Sequence, residues 1–251
     1  MFHLGRYQQA IECYDKAFEI RSDFTLALDD KALALIGLGN NEKAIKCLDE
    51  AIKINKHDGY AYVVMGKAYC SLGWIEKAIE YYDKAINIDK SYTKAMYNKG
   101  LLYDDFFKDE SHQREAIKCY DNVLELTPKD SRTWYRKGMI HDEVLKEYDK
   151  AIECYNNVLK YNPNHAGAWY NRAGVKNKKL KKDKHDDNIA SNVETDITES
   201  IMSDLRNAIE IDKKYIKLAR QDSDFENLKE YAGFINLIKS WYTSPEPVLI
   251  K

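Results

Sequence analysis

Five cysteines, six histidines and two pairs of adjacent carboxylates are the residues of this 251-residue chain best equipped for catalysis or metal binding. A cysteine beside a histidine would make a nucleophile, and a Cys-x2-Cys or His-x3-His spacing would hold zinc. No zinc spacing occurs. Cys13, Cys47, Cys119 and Cys154 recur at one position of a repeating pattern, Cys70 stands apart from them, and the histidines are scattered. Asp104-Asp105 and Asp142-Glu143 offer paired carboxylates for acid–base work, yet each pair also reads as the solvated face of a helix. A phosphate-cradling glycine loop and a Gly-x-Ser-x-Gly elbow are missing. These residues predict no enzyme, no metal and no cofactor.

The densest charge block is Lys176, Lys178, Lys179, Lys181, Lys182 and Lys184, followed by an acidic stretch with Asn, Ser and Thr. Such a block can neutralise the phosphates of nucleic acid or of a lipid surface. No aromatic platform is interleaved with it, and the net charge of the whole chain is only -2, so neither partner is expected. Residues 176–199 read as a polar, disordered insert.

The elements that must position any functional side chain are helices in pairs. A small residue, a bulky one four later and a small one three later recur as Ala10/Tyr14/Ala17, Ala44/Leu48/Ala51, Ala78/Tyr82/Ala85, Ala116/Tyr120/Val123 and Ala151/Tyr155/Val158. A sixth, Ile201/Leu205/Ala208, follows the lysine block. The spacing puts each triplet on one helix face, with notches for a neighbouring helix. Ahead of these segments stand Tyr62/Gly66/Tyr69, Met96/Gly100/Tyr103 and Trp134/Gly138/His141. A glycine inside a helix costs roughly 1 kcal/mol against alanine, so each is expected to mark a close helix crossing. Leu38-Gly39 and Leu72-Gly73 break the helices, and Pro128 and Pro163 end them.

With these positions in phase, the chain resembles the tetratricopeptide repeat family over about four fifths of its length. The departures are Lys99 and Lys137 before the glycine, where leucine is usual, and Ala173 after Trp169, where glycine is usual. The resemblance implies an all-α, right-handed superhelical solenoid of antiparallel helix pairs. In this register a lone second helix occupies residues 1–24 and about five repeats occupy 25–214, the third about four residues too long and the last interrupted at 176–199. The extra residues of the third repeat are expected to lengthen a surface loop within 106–113, with Phe106-Phe107 folded back. Residues 215–242 are expected to cap the last apolar face, with a capping box at Ser223/Glu226 and apolar contacts from Leu218, Phe225, Leu228, Phe234, Leu237 and Ile238. The tail, 243–251, is expected to be extended and frayed.

The resemblance also implies where a ligand would lie, because first helices in this family line a concave groove. Matching positions carry Tyr60, Val63, Lys67 and Cys70, then Lys94, Tyr97, Asn98 and Leu101, then Arg132, Tyr135, Arg136 and Met139, and finally Tyr170 and Asn171. Lys67, Lys94, Asn98, Arg132 and Arg136 supply donors from three successive helices, suited to a carboxylate. Asn98, Arg132 and Arg136 match three positions of the carboxylate clamp with which co-chaperones of the family hold the acidic C-termini of the seventy- and ninety-kilodalton heat-shock chaperones. Val63 stands where the clamp's first lysine should be and Lys67 where its first asparagine should be, so the match is partial. The expected function is a non-catalytic protein-interaction scaffold for an extended acidic peptide or a partner helix.

An alternative stays open at this point: self-association, as a homodimer, through an uncapped first helix exposing Leu4, Ile11 and Tyr14, or service as a regulatory fragment of a longer protein. Equivalent cysteines on neighbouring repeats would lie about 10 Å apart, too far for disulfides. With no apolar run of membrane-spanning length and no signal-peptide pattern at Met1 to Arg6, the expected location is the cytoplasm.

Overall fold

The computed structural model describes residues 2–185 and 190–240; the expected tail at 243–251 lies outside them, as does the side chain of Leu4. Two compact units divide the chain, Met1–Pro128 and Lys129–Lys251. Among the described residues the first holds α1 (Phe2–Ile20), α2 (Thr25–Gly37), α3 (Asn41–Ile54), α4 (Gly59–Ser71), α5 (Ile75–Ile88), α6 (Thr93–Phe106) and α7 (Glu110–Leu126). The second holds α8 (Ser131–Glu143), α9 (Tyr148–Tyr161), α10 (Ala166–His185), α11 (Ser191–Ile211), α12 (Lys214–Gln221), a 3-10 helix (Ser223–Leu228) and α13 (Ala232–Ser240). Each helix packs mainly on its sequence neighbours, and the described residues are all helix, turn or connection. This is the expected all-α solenoid of helix hairpins.

The glycines of the first helices do mark close crossings. A Cβ on Gly66 would lie 2.6 Å from the ring of Tyr82, one on Gly100 2.7 Å from Tyr120, and one on Gly138 2.9 Å from Tyr155. All three tyrosines are buried on the second helix of the same hairpin. Where the second helix carries leucine instead, the first carries alanine: Ala32 with Leu48 and Ala173 with Leu205, all fully buried. A methyl on one helix thus replaces the volume of a ring on the other, as close packing demands.

Helix ends follow equally local rules. Gly39 and Gly73 adopt φ of 78° after α2 and α4, which lets the chain turn back by hydrogen bonds such as Asn40 N–H to Leu35 O at 2.8 Å. Lys146, at φ 55°, takes that role after α8 without being glycine. Asp58, Asp109 and Asp130 cap α4, α7 and α8 by accepting backbone N–H groups.

Several expectations change. The extra residues of the third repeat do not form a longer loop but add a turn to the start of α7. The buried Gln113 in that turn donates its Nε2 to the carbonyls of Tyr103, Asp104 and Phe107 at 3.2, 3.0 and 2.5 Å, satisfying the end of α6. Phe107 folds back, stacking on His112 at 4.4 Å, whereas Phe106 stays 53% exposed. On α1, Ile11 is buried against α2 and α3 rather than presented to solvent.

The insert expected to be disordered is helical at 176–185 and 191–199, with Ala190 extended ahead of the second helix. Ala173, Asn177 and Leu180 form a buried stripe on α10, and acids meet the lysines around it. Lys176 Nζ lies 2.7 Å from Asp204, which Arg172 also holds at 2.6 Å. Lys178 bridges Asp142 and Asp224 at 3.0 Å each, while Lys179 pairs with Asp149 and Lys184 with Glu194. Charge neutralisation by partners remote in sequence is what composition could not reveal.

At the C-terminal end, Phe225, Leu228, Phe234, Leu237 and Ile238 join one core with α10 and α11. Leu218 does not, at 43% exposure; Ala219 is buried in its place. The cap of the 3-10 helix is Asp222, whose carboxylate accepts from Asp224 N–H at 2.9 Å, not Ser223.

The hairpin notch yields a test by double-mutant cycle. Gly66→Ala is expected to destabilise the chain by about 1–3 kcal/mol in urea melts, because Tyr82 must move. In the Tyr82→Leu background the same change should cost nothing or stabilise by up to about 1 kcal/mol, since alanine is the better helix former.

Candidate functional site

Every position expected to face a ligand lies on the first helix of a hairpin: α4 and α6 in the first unit, α8 and α10 in the second. Their exposure divides them. Val63 is 1% exposed and part of the core, so it has no surface to offer a ligand. On α4, Lys67 is half-buried; on α6, Lys94 is exposed and Tyr97, Asn98 and Leu101 are half-buried. Burial, and then the nearby positive charge of Lys94, lower the pKa of Lys67. Among the described residues, neither lysine has an ion pair or a side-chain hydrogen bond, so two like charges stand close without a counter-charge.

In the second unit Arg132 is exposed on α8, its Nε 3.3 Å from Asp130, and Arg136 and Met139 are half-buried on the same helix. Tyr135 packs against His165 at 4.5 Å, and its hydroxyl accepts Asn171 Nδ2 at 3.0 Å. Asn171 also donates to the hydroxyl of Tyr155 at 3.4 Å. Burial pushes the Tyr135 phenol up, so it stays neutral at physiological pH. Tyr170 donates to Asp222 at 2.7 Å and rests on Tyr215 and Phe225. Tyr170 and Asn171 therefore bind α10 to its own surroundings, and the basic character of this unit's face falls to Arg132 and Arg136.

Two carboxylates at the start of this series of helices lie outside the expected site. Asp29 and Asp30 lie on α2, and Asp29 occupies the position held in later repeats by Val63, Tyr97, Tyr135 and Tyr170. A charged residue at a position otherwise apolar or aromatic was the available signal. Asp29 is 1% exposed, and neither of its carboxylate oxygens has a hydrogen-bond partner. Burial, and then the negative charges of Asp58 and Asp30, raise its pKa to about 8. Asp58 accepts the Thr25 hydroxyl at 2.8 Å, and Tyr60 donates weakly to Asp30 at 3.4 Å. The face of the first unit is thus acidic at α2 and basic at α4 and α6.

All five cysteines are free, and His141, buried on α8, is held by Glu147 at 2.7 Å. No three His, Cys, Asp or Glu among the described residues could hold a metal ion, and no described helix is long and apolar enough to cross a membrane.

Two family models match: one described as TPR repeat, at residues 66–104 and 145–177, and one described as Tetratricopeptide repeat, at 2–24 and 27–58. No curated protein sequence matches the chain closely enough to count as a relative. Among solved structures, the C-terminal part of a TPR repeat-containing protein from Cytophaga hutchinsonii is similar at TM-score 0.63 and 19% identity, covering 96% of this chain and 92% of that one. YrrB, described as a TPR protein with an unusual peptide-binding site, gives TM-score 0.59 at 20% identity, covering 84% of this chain and 100% of its own. MamA gives 0.55 at 21%, covering 65% and 92%. At these identities the likeness is one of fold.

Asp29 makes stability depend on pH in a defined direction. Between about pH 4 and pH 8 the folded chain keeps a proton on Asp29 that the unfolded chain has lost, so stability falls as pH rises through that window and levels off above it. Asp29→Asn should remove this decline and raise stability at pH 8 by about 1–3 kcal/mol in chemical denaturation.

Proposed function

The chain belongs to the tetratricopeptide repeat family, and on that premise we propose that it is a non-catalytic protein-interaction scaffold whose first helices take an extended, acidic peptide or partner helix. The observation that carries this reading is the uncompensated pair Lys67 and Lys94 on α4 and α6. A half-buried ammonium repelled by a second one gains more from an incoming carboxylate than a solvated lysine would. Asn98, Tyr97 and Leu101 beside them add an amide and apolar area. Arg132 and Arg136 give the face of α8 the same sign in the second unit. YrrB, with its peptide-binding site, supports peptide recognition as a use of this fold. The five free thiols accord with a reducing compartment, and the cytoplasm is the location we assign.

Self-association is the second reading. On α1, Tyr7 and Ile20 remain 39% and 87% exposed, and a dimer in light scattering would favour it.

The experiment is fluorescence anisotropy with labelled decapeptides in which half the positions are glutamate. Lys67→Glu with Lys94→Glu, and separately Arg132→Glu with Arg136→Glu, should each weaken binding at least about tenfold, equivalent to about 1.4 kcal/mol, with a cooperative melt retained. Unchanged affinity in both double variants would refute the reading.

A further inference from the structure

The acidic start of this face asks for a ligand of its own. Three carboxylates meet there: Asp29 and Asp30 from α2 and Asp58 from the turn before α4. Two phenol rings accompany them. Tyr60 reaches Asp30 at 3.4 Å, and Tyr92 lies over Gly59, 2.9 Å from where a Cβ would be. Burial, and then the charges of Asp58, Asp89 and Asp29, raise the pKa of Tyr92. No lysine or arginine among the described residues is paired with any of the three acids. Asp58 is satisfied by Thr25 and by the N–H groups of Tyr60 and Ala61, but both oxygens of Asp29 remain without a partner at 1% exposure.

A buried carboxyl without donors is costly, and a protein can remove the carboxyl by a single substitution, as the valine at the matching position of the next repeat illustrates. The three acids do not form a metal site. What remains is an organic cation, for which paired carboxylates supply charge and flanking tyrosine rings supply a π face.

We propose that the notch of Asp29, Asp30 and Asp58 beside Tyr60 and Tyr92 receives a cationic side chain, lysine or arginine, of the peptide whose acidic part lies on Lys67 and Lys94. The inference rests on the reading of this face as a peptide surface. It makes the ligand bipolar: a cation at α2, then acidic residues at α4 and α6. Tyr60 and Tyr92 are half-buried and swing aside by side-chain rotation, and the Asp29 proton leaves as the cation enters.

The test uses the full chain with 13C-labelled aspartate, the Asp29 carboxyl signal being assigned by its loss in Asp29→Asn. The probe is N-acetylarginine amide at tens of millimolar, with N-acetylcitrulline amide as its neutral isostere. Arginine should move the Asp29 signal and lower its pKa by at least about one unit, citrulline should not, and Asp30→Asn should weaken the response several-fold. No response to arginine, or an equal response to citrulline, overturns the notch. Acidic-peptide binding read separately through Lys67→Glu with Lys94→Glu keeps the two ideas apart. Arginine silent with acidic peptides bound sinks only the notch; arginine active with acidic peptides unbound sinks only the acidic-peptide reading.

Discussion

A tyrosine ring seated on the bare backbone of a glycine fixes how closely the two helices of a hairpin approach, and the rest of the fold depends on that distance. Where the ring is present the facing residue is Gly66, Gly100 or Gly138; where leucine replaces it the facing residue is Ala32 or Ala173. The pairing is a volume rule, satisfied separately in each hairpin. It tolerates an added helical turn in α7 and a hairpin lengthened through α10 and α11, because both changes fall beyond the notch. With the buried side of each first helix committed to its hairpin, the other side is free to differ between repeats, and there the chemistry diverges.

That divergence is chiefly of charge. In the first unit the series of first helices runs from the buried, unpaired acid of Asp29 to Lys67 and Lys94, which have no ion pair among the described residues. In the second, Arg172, Lys176, Lys178 and Lys179 of α10 are held by Asp204, Asp142, Asp224 and Asp149, and on α8 Arg132 lies 3.3 Å from Asp130. Lysine is therefore paired at Lys176, Lys178 and Lys179 but, among the described residues, has no ion pair at Lys67 and Lys94. What separates them is whether an acid stands opposite.

The repeat phase made the helix pairs, the crossing glycines and the turns at Gly39 and Gly73 legible, since each rests on residues within one hairpin. Features that depend on which partners a side chain meets in the folded chain were not legible. The lysine block looked disordered because Asp142, Asp204 and Asp224 are remote from it in the chain. Gln113 looked like loop because nothing in its vicinity announces that the carbonyls at the end of α6 need donors. Val63 was placed on the ligand face by position alone, although an apolar residue there packs into the core. Asp29 differs in sequence by being charged where later repeats carry valine or tyrosine, but the absence of donors around its carboxylate shows only in the structure.

A groove of this kind requires that the first helices, and not the second, meet the partner. Hydrogen–deuterium exchange on the full chain, with and without a saturating acidic decapeptide, tests it most directly. Protection confined to α4 and α6 of the first unit and to α8 of the second is the predicted result. Protection centred on α3, α5 and α9, or on α1 alone, would contradict it.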